Sequence, residues 1–325
     1  MFTRDKLISV VMATYNGEKF LREQLDSILN QTYKNLEIII CDDCSTDKTW
    51  KILEEYKQKD QRIKIFKNET NIGYVKNFEK AISLCKGDFI ALSDQDDIWI
   101  ENKIEILLKN IKNYDLIHSD AYLIDETGTV IHNSYSSLSK KYLYPKDIVE
   151  LAFTPSVTGC TCMFTKSLKN KAIPFCKNIH VHDLWISLVA FKNNGIIYYD
   201  TPLIKYRQHA NNQIGALKQK TSLFDKIKKV KNIYNIKISL NKFLSNNLNR
   251  LKCIEKYFIL TQEEKSYLEN VKCMYNYLSM KNVRFFYYFF KVKNKIWKDL
   301  IFYNKLKNVI LIYIKLILLD FKGKN

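Results

Sequence analysis

The segment that decides the fold is Phe89-Ile90-Ala91-Leu92-Ser93-Asp94-Gln95-Asp96-Asp97. An apolar run of strand length leads directly into three carboxylates within four positions. Like charges at this spacing repel one another, and folding alone gives no reason to place them at the end of a buried strand. A divalent cation would offset the repulsion, so the segment predicts a strand that ends at a metal site suited to phosphate chemistry. The alternative is an acidic turn in water.

The first hundred residues alternate between strand-like and helical patterns. Continuous apolar runs predict strands at 7–12, 36–41, 62–66 and 89–92, because parallel strands buried on both faces do not alternate in polarity. Apolar residues at helical spacing predict a helix after each of these strands. This alternation favours an α/β fold with a mostly parallel sheet that is flanked by helices.

Three polar loops follow the predicted strands at 14–18, 42–43 and 94–97. In open parallel sheets, ligands bind beyond the carboxyl ends of the strands. We therefore expect the three loops to meet at one edge of the sheet and to form the binding site.

The charge of the chain is concentrated at its C-terminal end. Residues 1–217 carry 28 Lys and Arg against 27 Asp and Glu, a net charge of +1, whereas residues 218–325 carry 24 against 7, a net charge of +17. This contrast predicts two domains, a nearly neutral catalytic or binding domain at 1–217 and a basic, aromatic-rich helical region at 218–325.

The glycine positions exclude two nucleotide-binding motifs. The eight glycines form neither the dinucleotide fingerprint nor a P-loop. A nucleotidyltransferase would also need a glycine-rich N-terminal loop with a basic residue, which 13–17 does not provide. That enzyme class and a non-catalytic nucleotide- or glycan-binding module on the same fold stay open as alternatives.

Three motifs, at 8–17, 40–47 and 93–97, closely resemble those of glycosyltransferase family 2 when they are taken together in order. The resemblance spans about residues 6–215. It implies the GT-A (Rossmann-like) fold, a nucleoside-diphosphate sugar as donor, and inversion at the anomeric carbon.

The resemblance also implies roles on the donor side. Asp43 would accept a hydrogen bond from the N3–H of a pyrimidine base, and Asp94 would lie near the ribose and diphosphate. The donor-nucleotide residues are Thr14, Tyr15, Asn16, Glu18, Asp43 and Asp94. The alternative for the loop residues is helix capping, or simply the opening of a helix.

A Mn²⁺ or Mg²⁺ ion is the implied cofactor, with Asp96 as its ligand. His209 matches a late motif whose His completes the metal sphere and whose Arg, here Arg207, meets phosphate. A purely structural role for His209 stays open, and Asp97 has no assigned role.

The segment 180–185 resembles the H-D-x-W segment of bacterial rhamnosyltransferase-like members, in which the Asp is the catalytic base. We therefore expect Asp183 to take the proton of the acceptor hydroxyl. On the acceptor side the resemblance implies Gly159, His182 and Trp185. The alternatives are an N-cap Asp183 above a buried Trp185, and an ordinary bulged strand at Gly159.

The basic C-terminal region mixes Lys with aromatic residues, as in 284–291. Such amphipathic helices suit the surface of an anionic membrane. A helical bundle with its aromatic residues packed inward is the alternative, and nucleic acid is not expected. No signal peptide is visible, and the apolar stretch at 309–321 is too short to span a bilayer. We therefore expect a peripheral protein at the cytoplasmic face of the membrane.

Together these expectations describe a metal-dependent inverting hexosyltransferase of bacterial surface polysaccharide synthesis (capsule, O-antigen or exopolysaccharide). Its donor would be dTDP-rhamnose or a UDP-hexose, and its acceptor a glycan or lipid-linked glycan at an anionic membrane surface.

Overall fold

A computed structural model describes residues 6–139, 145–153, 155–177, 179–209 and 233–279, with side chains over 245–276 in the last range. The described residues fall into two compact units. One unit comprises those of Met1–Ser139 and Val157–Ala216, and the other those of Lys140–Ser156 and Leu217–Asn325. The sequence placed 140–156 in the first domain. That placement is corrected, because the helix in this segment packs on the helices of the second unit.

The first unit is built on one mixed sheet. Its described strands are β1 Ile8–Thr14, β2 Leu36–Asp42, β3 Ile63–Lys67, β4 Phe89–Ser93, β5 Ile98–Trp99, β6 Leu116–Ile124, β7 Val130–His132, β8 Cys162–Thr165 and β9 Ile196–Arg207. The strand order is β3-β2-β1-β4-β8-β6-β9-β5, and β7 pairs with β6. The four predicted strands form a continuous parallel half, and β8 runs antiparallel to both of its neighbours.

The register of the parallel half brings the polar loops to one edge. Thr14 lies opposite Asp42 across β1 and β2, and Met12 lies opposite Ser93 across β1 and β4. The loops that leave these three strands therefore start side by side, as the sequence predicted.

Helices cover the sheet and bury their apolar faces against it. Those of the first unit are α1 Leu21–Leu29, α2 Thr49–Lys59, α3 Tyr74–Ser83, α4 Lys103–Asn110, α5 Tyr135–Ser139, α7 Lys166–Ala172 and α8 His182–Phe191. In α1, Leu21, Leu25 and Ile28 are fully buried. Each such side chain contributes about 1.5–3 kcal/mol when it leaves water. The α/β fold class predicted from the sequence is confirmed.

The second unit contains α6 Ile148–Phe153, α9 Ile233–Tyr257 and α10 Gln262–Ser279. Its interior is apolar and aromatic, and the rings of Phe153 and Tyr275 stack with centroids 5.9 Å apart. Lys252, Lys256 and Lys265 are exposed on the outside. This part of the basic region packs as a helical bundle. The Lys- and aromatic-rich segment 284–291 lies outside the described residues.

Among the described residues, no helix combines the length and the apolar character that a bilayer crossing requires.

Candidate active site

The first two loops at the sheet edge are tied together by their own polar groups. The Thr14 hydroxyl donates to Asp42 Oδ1 (3.0 Å), and Asn16 Oδ1 accepts from the Thr46 N–H (2.8 Å). Asn16 has a φ of 48°, in the left-handed region that Asn tolerates. Glu18 accepts from the Lys48 N–H (2.8 Å). Thr14, Asn16 and Glu18 therefore fix the loop geometry.

Tyr15 lies in the first loop and has 45% of its surface exposed to solvent. Its N–H donates to Gln95 Oε1 (2.9 Å), and Gln95 Nε2 donates back to the Tyr15 carbonyl (3.1 Å). Gly17 leaves room for this contact, since a Cβ there would lie 2.4 Å from Gln95 Oε1. Gln95 was not among the site residues predicted from the sequence. Its position between two of the aspartates was the available signal.

Asp43 is 2% exposed and already accepts three hydrogen bonds. They come from the side chain of Asn68 (2.8 Å) and from the backbone N–H groups of Ile72 (2.9 Å) and Gly73 (2.9 Å). A carboxylate offers about four lone-pair positions. Asp43 therefore organises the loop before α3 and keeps one acceptor position on Oδ2.

The acidic cluster is built as the sequence suggested, at the end of β4. Burial, with the charges of Asp96 and Asp183, raises the pKa of Asp94 to about 7. Burial, together with the charges of Asp96 and Asp94, raises the pKa of Asp97 well above its usual range. Donor atoms of Asp94, Asp97 and Cys160 lie within 4.8 Å of one another. These carboxylates repel one another in the absence of a cation.

Asp97 is fully buried, and its two carboxyl oxygens have different surroundings. Its Oδ1 accepts the backbone N–H of Arg207 (3.0 Å), while its Oδ2 has no hydrogen-bond partner of normal geometry in the part of the chain that the structure describes. The carboxyl group therefore joins the acidic loop to the end of β9.

The same strand end brings His209 to the cluster. His209 Nε2 lies 2.8 Å from Asp96 Oδ2, and both side chains are partly accessible. An imidazole and a carboxylate with adjacent donor atoms suit Mn²⁺, and neighbouring carboxylates suit Mg²⁺ equally. The residues present therefore fit a divalent cation.

Arg207 does not face a phosphate site. Its guanidinium is buried at 1% exposure and donates to Asp96 O (2.7 Å), Glu126 O (3.0 Å) and the carboxylate of Glu23. The phosphate contact expected from the sequence is corrected, because the N–H groups of the guanidinium already donate to these partners. Arg207 instead holds the loop that carries Asp96.

Asp183 lies in the first turn of α8. It is partly exposed; its Oδ2 accepts the N–H of Gly159 (2.9 Å), and its Oδ1 accepts the N–H of Leu184 (2.6 Å). Two lone-pair positions remain for another donor. The charge of Asp183 also contributes to the raised pKa of Asp94, so both carboxylates act on the same region.

His182 and Trp185 lie beneath Asp183. His182 is 6% exposed and stacks on Phe78 (3.9 Å), and burial lowers the pKa of its imidazole. Its ring nitrogens have no partner among the described residues, so it does not orient Asp183 through a hydrogen bond. Trp185 is 2% exposed and donates to Ala172 O (2.7 Å). The sequence predicted that Trp185 lies on the acceptor side. This prediction is corrected, because the side chain is part of the core.

Comparisons with known proteins agree with this geometry. The sequence model described as "Glycosyl transferase family 2" matches residues 9–171. The UDP-Glc:alpha-D-GlcNAc-diphosphoundecaprenol beta-1,3-glucosyltransferase WfgD of Escherichia coli is 30% identical, covering 79% of this chain and 94% of that protein. The dTDP-rhamnosyl transferase RfbG of Shigella flexneri is 34% identical, covering 63% and 74%.

A solved structure shares the fold. The crystal structure of S. aureus TarS 1–349 in complex with UDP-GlcNAc superposes with a TM-score of 0.59 at 20% identity, covering 83% of this chain and 72% of that chain.

Proposed function

Because this chain belongs to glycosyltransferase family 2, we propose that it transfers a hexosyl residue from a pyrimidine nucleoside-diphosphate sugar to a glycan acceptor, with inversion at the anomeric carbon. The observation that carries the proposal is the placement of Asp183. Its carboxylate keeps free acceptor positions and acts electrostatically on Asp94 of the acidic cluster.

In the proposed reaction, Asp183 accepts the proton of the acceptor hydroxyl. The hydroxyl oxygen then forms a bond to the anomeric carbon as the bond from that carbon to the diphosphate oxygen breaks. The N–H groups of Gly159 and Leu184 hold the Asp183 carboxylate in place during the transfer. Attack from the side opposite the leaving group gives inversion.

The cation would be held by Asp96 and His209, with Asp94 beside them. When bound, it would stabilise negative charge on the departing nucleoside diphosphate. Arg207 and Asp97 hold the two loops that bring these donors together.

The names of two relatives support the proposed donor class. These names specify UDP-glucose and dTDP-rhamnosyl donors, both of which carry a pyrimidine base. The free acceptor position of Asp43 Oδ2 is available for the N3–H of such a base, and the exposed Tyr15 directly follows Thr14, whose carbonyl accepts the Asp43 N–H (2.8 Å). We therefore propose UDP-glucose and dTDP-rhamnose as the first donors to test.

The acceptor is proposed to be a lipid-linked glycan of bacterial surface polysaccharide synthesis. The acceptor in the name of the Escherichia coli relative is a sugar on diphosphoundecaprenol. The net charge of +17 over residues 218–325 would hold the enzyme at the anionic cytoplasmic face of the membrane, where such acceptors are assembled.

A donor panel tests the proposed function. Thermal unfolding is measured with UDP-glucose, dTDP-rhamnose, UDP-GlcNAc and GDP-mannose, with and without Mn²⁺, because a ligand of the native state raises stability by mass action. Transfer is then assayed on a synthetic GlcNAc-diphospholipid. A Mn²⁺-dependent shift with a pyrimidine donor, followed by transfer, supports the proposal. A shift with GDP-mannose alone, or no transfer from any donor that binds, contradicts it.

Vesicle sedimentation tests the membrane part separately. The full chain should bind phosphatidylglycerol vesicles more strongly than phosphatidylcholine vesicles, and salt should weaken the binding. Equal binding to the two lipids would reject an electrostatic membrane contact.

A further inference from the structure

Lys103 is a buried lysine without an assigned role. It is the first residue of α4 and has 0% of its surface exposed. Burying an ammonium group costs several kcal/mol unless charges and hydrogen bonds compensate it. Its neighbours on the same helix face, Ile104, Leu107 and Leu108, are ordinary core residues. A lysine among them therefore requires a specific reason.

The Lys103 ammonium has two direct contacts. It donates to the carbonyl of Cys160 at 2.6 Å, and it lies 3.6 Å from the centre of the Trp99 ring. The second contact is a close cation–π geometry. Both partners belong to segments beside the acidic loop, because Trp99 follows Asp97 by two residues and the Cys160 side chain joins the acidic cluster.

The charges around Lys103 are mostly acidic. Burial lowers its pKa to about 8, and nearby thiols together with Asp97 and Asp94 act in the opposite direction. In return, Lys103 is among the groups that lower the pKa of Asp94. A cationic side chain of the protein therefore lies within the field of the carboxylates.

The Cys160 carbonyl is one end of a short link to the proposed base. Cys160 is the middle residue of the 3₁₀ turn Gly159–Thr161. The preceding residue, Gly159, donates its N–H to Asp183 Oδ2 at 2.9 Å. One turn thus connects the Lys103 ammonium on the donor side to the Asp183 carboxylate on the acceptor side.

We infer that Lys103 is a positioning residue: its buried ammonium compensates Asp94 and Asp97 and fixes the Gly159–Thr161 turn that holds Asp183. This inference rests on the proposed role of Asp183 as the base. On this inference, the Lys103 ammonium offsets part of the negative charge of the acidic cluster, and a bound cation would offset the rest.

The kinetic test compares three variants. Lys103→Met removes the charge, Lys103→Arg keeps a cation, and Lys109→Met removes an exposed lysine from the same helix. Misplacing a reacting group by about 1 Å can cost about 100-fold in rate. Lys103→Met should therefore lower kcat about 100-fold with the donor KM within about twofold of wild type, and Lys109→Met should change neither. An unchanged kcat, or a loss confined to donor KM, would overturn the positioning role.

A substrate-free test isolates the charge compensation. Urea unfolding midpoints are measured for Lys103→Met, Asp97→Asn and the double variant. Compensation predicts that Asp97→Asn raises the midpoint in the Lys103→Met background, and that Lys103→Arg keeps a higher midpoint than Lys103→Met. Additive effects would contradict it. If Lys103→Met alone is insoluble, a soluble double variant supports the inference and an insoluble one rejects it.

The two tests separate the inference from the proposed function. The unfolding cycle uses no donor or acceptor, so it reports on Lys103 even if pyrimidine donors prove inactive. A failed donor panel with a positive cycle would remove the proposed substrate and leave the electrostatic role in place.

Discussion

His209 Nε2 and Asp96 Oδ2 lie 2.8 Å apart although 113 residues separate them in the chain. His209 lies two residues after the end of β9, and Asp96 lies in the loop after β4. Arg207 joins the two segments by donating its backbone N–H to Asp97 and its side chain to the Asp96 carbonyl. The pair is therefore a product of tertiary structure, and it suits a divalent cation.

Removal of His209 should weaken the binding of Mn²⁺. Mutating groups that only orient metal ligands typically costs 10–100-fold in affinity, and loss of a ligand should cost at least about tenfold. Titration of Mn²⁺ by calorimetry should show this loss for His209→Ala. His132→Ala, in β7, is the control and should bind Mn²⁺ like wild type. Equal affinity in the two variants would remove His209 from the site.

Gly159→Ala should impair catalysis more than donor binding. An added Cβ would lie 3.0 Å from His182 Nε2, so the buried His182 ring must move, and we expect this to displace the adjoining Asp183, whose Oδ2 lies at an ordinary contact distance of 3.6 Å. We expect kcat to fall about 100-fold with little change in donor KM. Steady-state kinetics with varied donor decides the matter. A normal kcat would show that the Gly159 contact does not position the base.

Arg207→Met should destabilise the fold. The guanidinium donates hydrogen bonds to three carbonyl groups, those of Asp96, Asp125 and Glu126, and pairs with Glu23, and hydrogen bonds to charged groups contribute about 1.5–3 kcal/mol. Urea unfolding should show a loss of about 2–3 kcal/mol. Arg22→Met, which removes an exposed ion pair with Glu55, should cost under about 1 kcal/mol. If Arg207→Met keeps its stability and only raises donor KM, Arg207 binds phosphate after all.

Protonation of Glu37 should make the free energy of unfolding depend on pH in the acid range. Burial acts to raise the pKa of Glu37, but hydrogen bonds from Lys64 (2.8 Å), Ser9 (2.6 Å) and the Lys86 N–H (2.6 Å) lower it overall. Because the folded pKa lies below the unfolded value of about 4.3, the stabilisation is complete above that value and is lost as the pH falls through the folded pKa.

Glu37→Gln should therefore destabilise the protein by about 1–3 kcal/mol at pH 7, and the difference from wild type should shrink below about pH 4. Urea unfolding across this pH range measures it. Glu55→Gln, at an exposed surface pair, is the control. A difference that stays constant from pH 7 to pH 3 would rule out this contribution of Glu37.

Much of the first unit could be predicted from the sequence because its signals are local. The apolar runs of β1 to β4 and the helical spacing between them fix a parallel half-sheet, and the loops at its edge follow from that topology. The family motifs predicted roles for Asp94, Asp96, Asp183 and His209; in the structure His209 contacts Asp96, and the charge of Asp183 acts on Asp94.

The remaining features depend on contacts that are distant in sequence. Lys103 looks like a surface residue at a helix start, and only the turn at Cys160 reveals why it is buried. Trp185 comes two residues after Asp183 in the motif, but its side chain is buried in the core beneath α8. The packing of α6 in the second unit likewise has no local signal, because its partners lie about 100 residues later.

The most direct measurement is the kcat of Asp183→Asn in Mn²⁺-dependent transfer, with Asp200→Asn on the exposed part of β9 as the control. Asn keeps the shape and one acceptor oxygen of Asp183 but cannot take the proton. General-base catalysis contributes about 100- to 10,000-fold, so kcat should fall by that range while Mn²⁺-dependent donor binding persists. Transfer by Asp183→Asn at the rate of the Asp200→Asn control would contradict the assignment of Asp183 as the base.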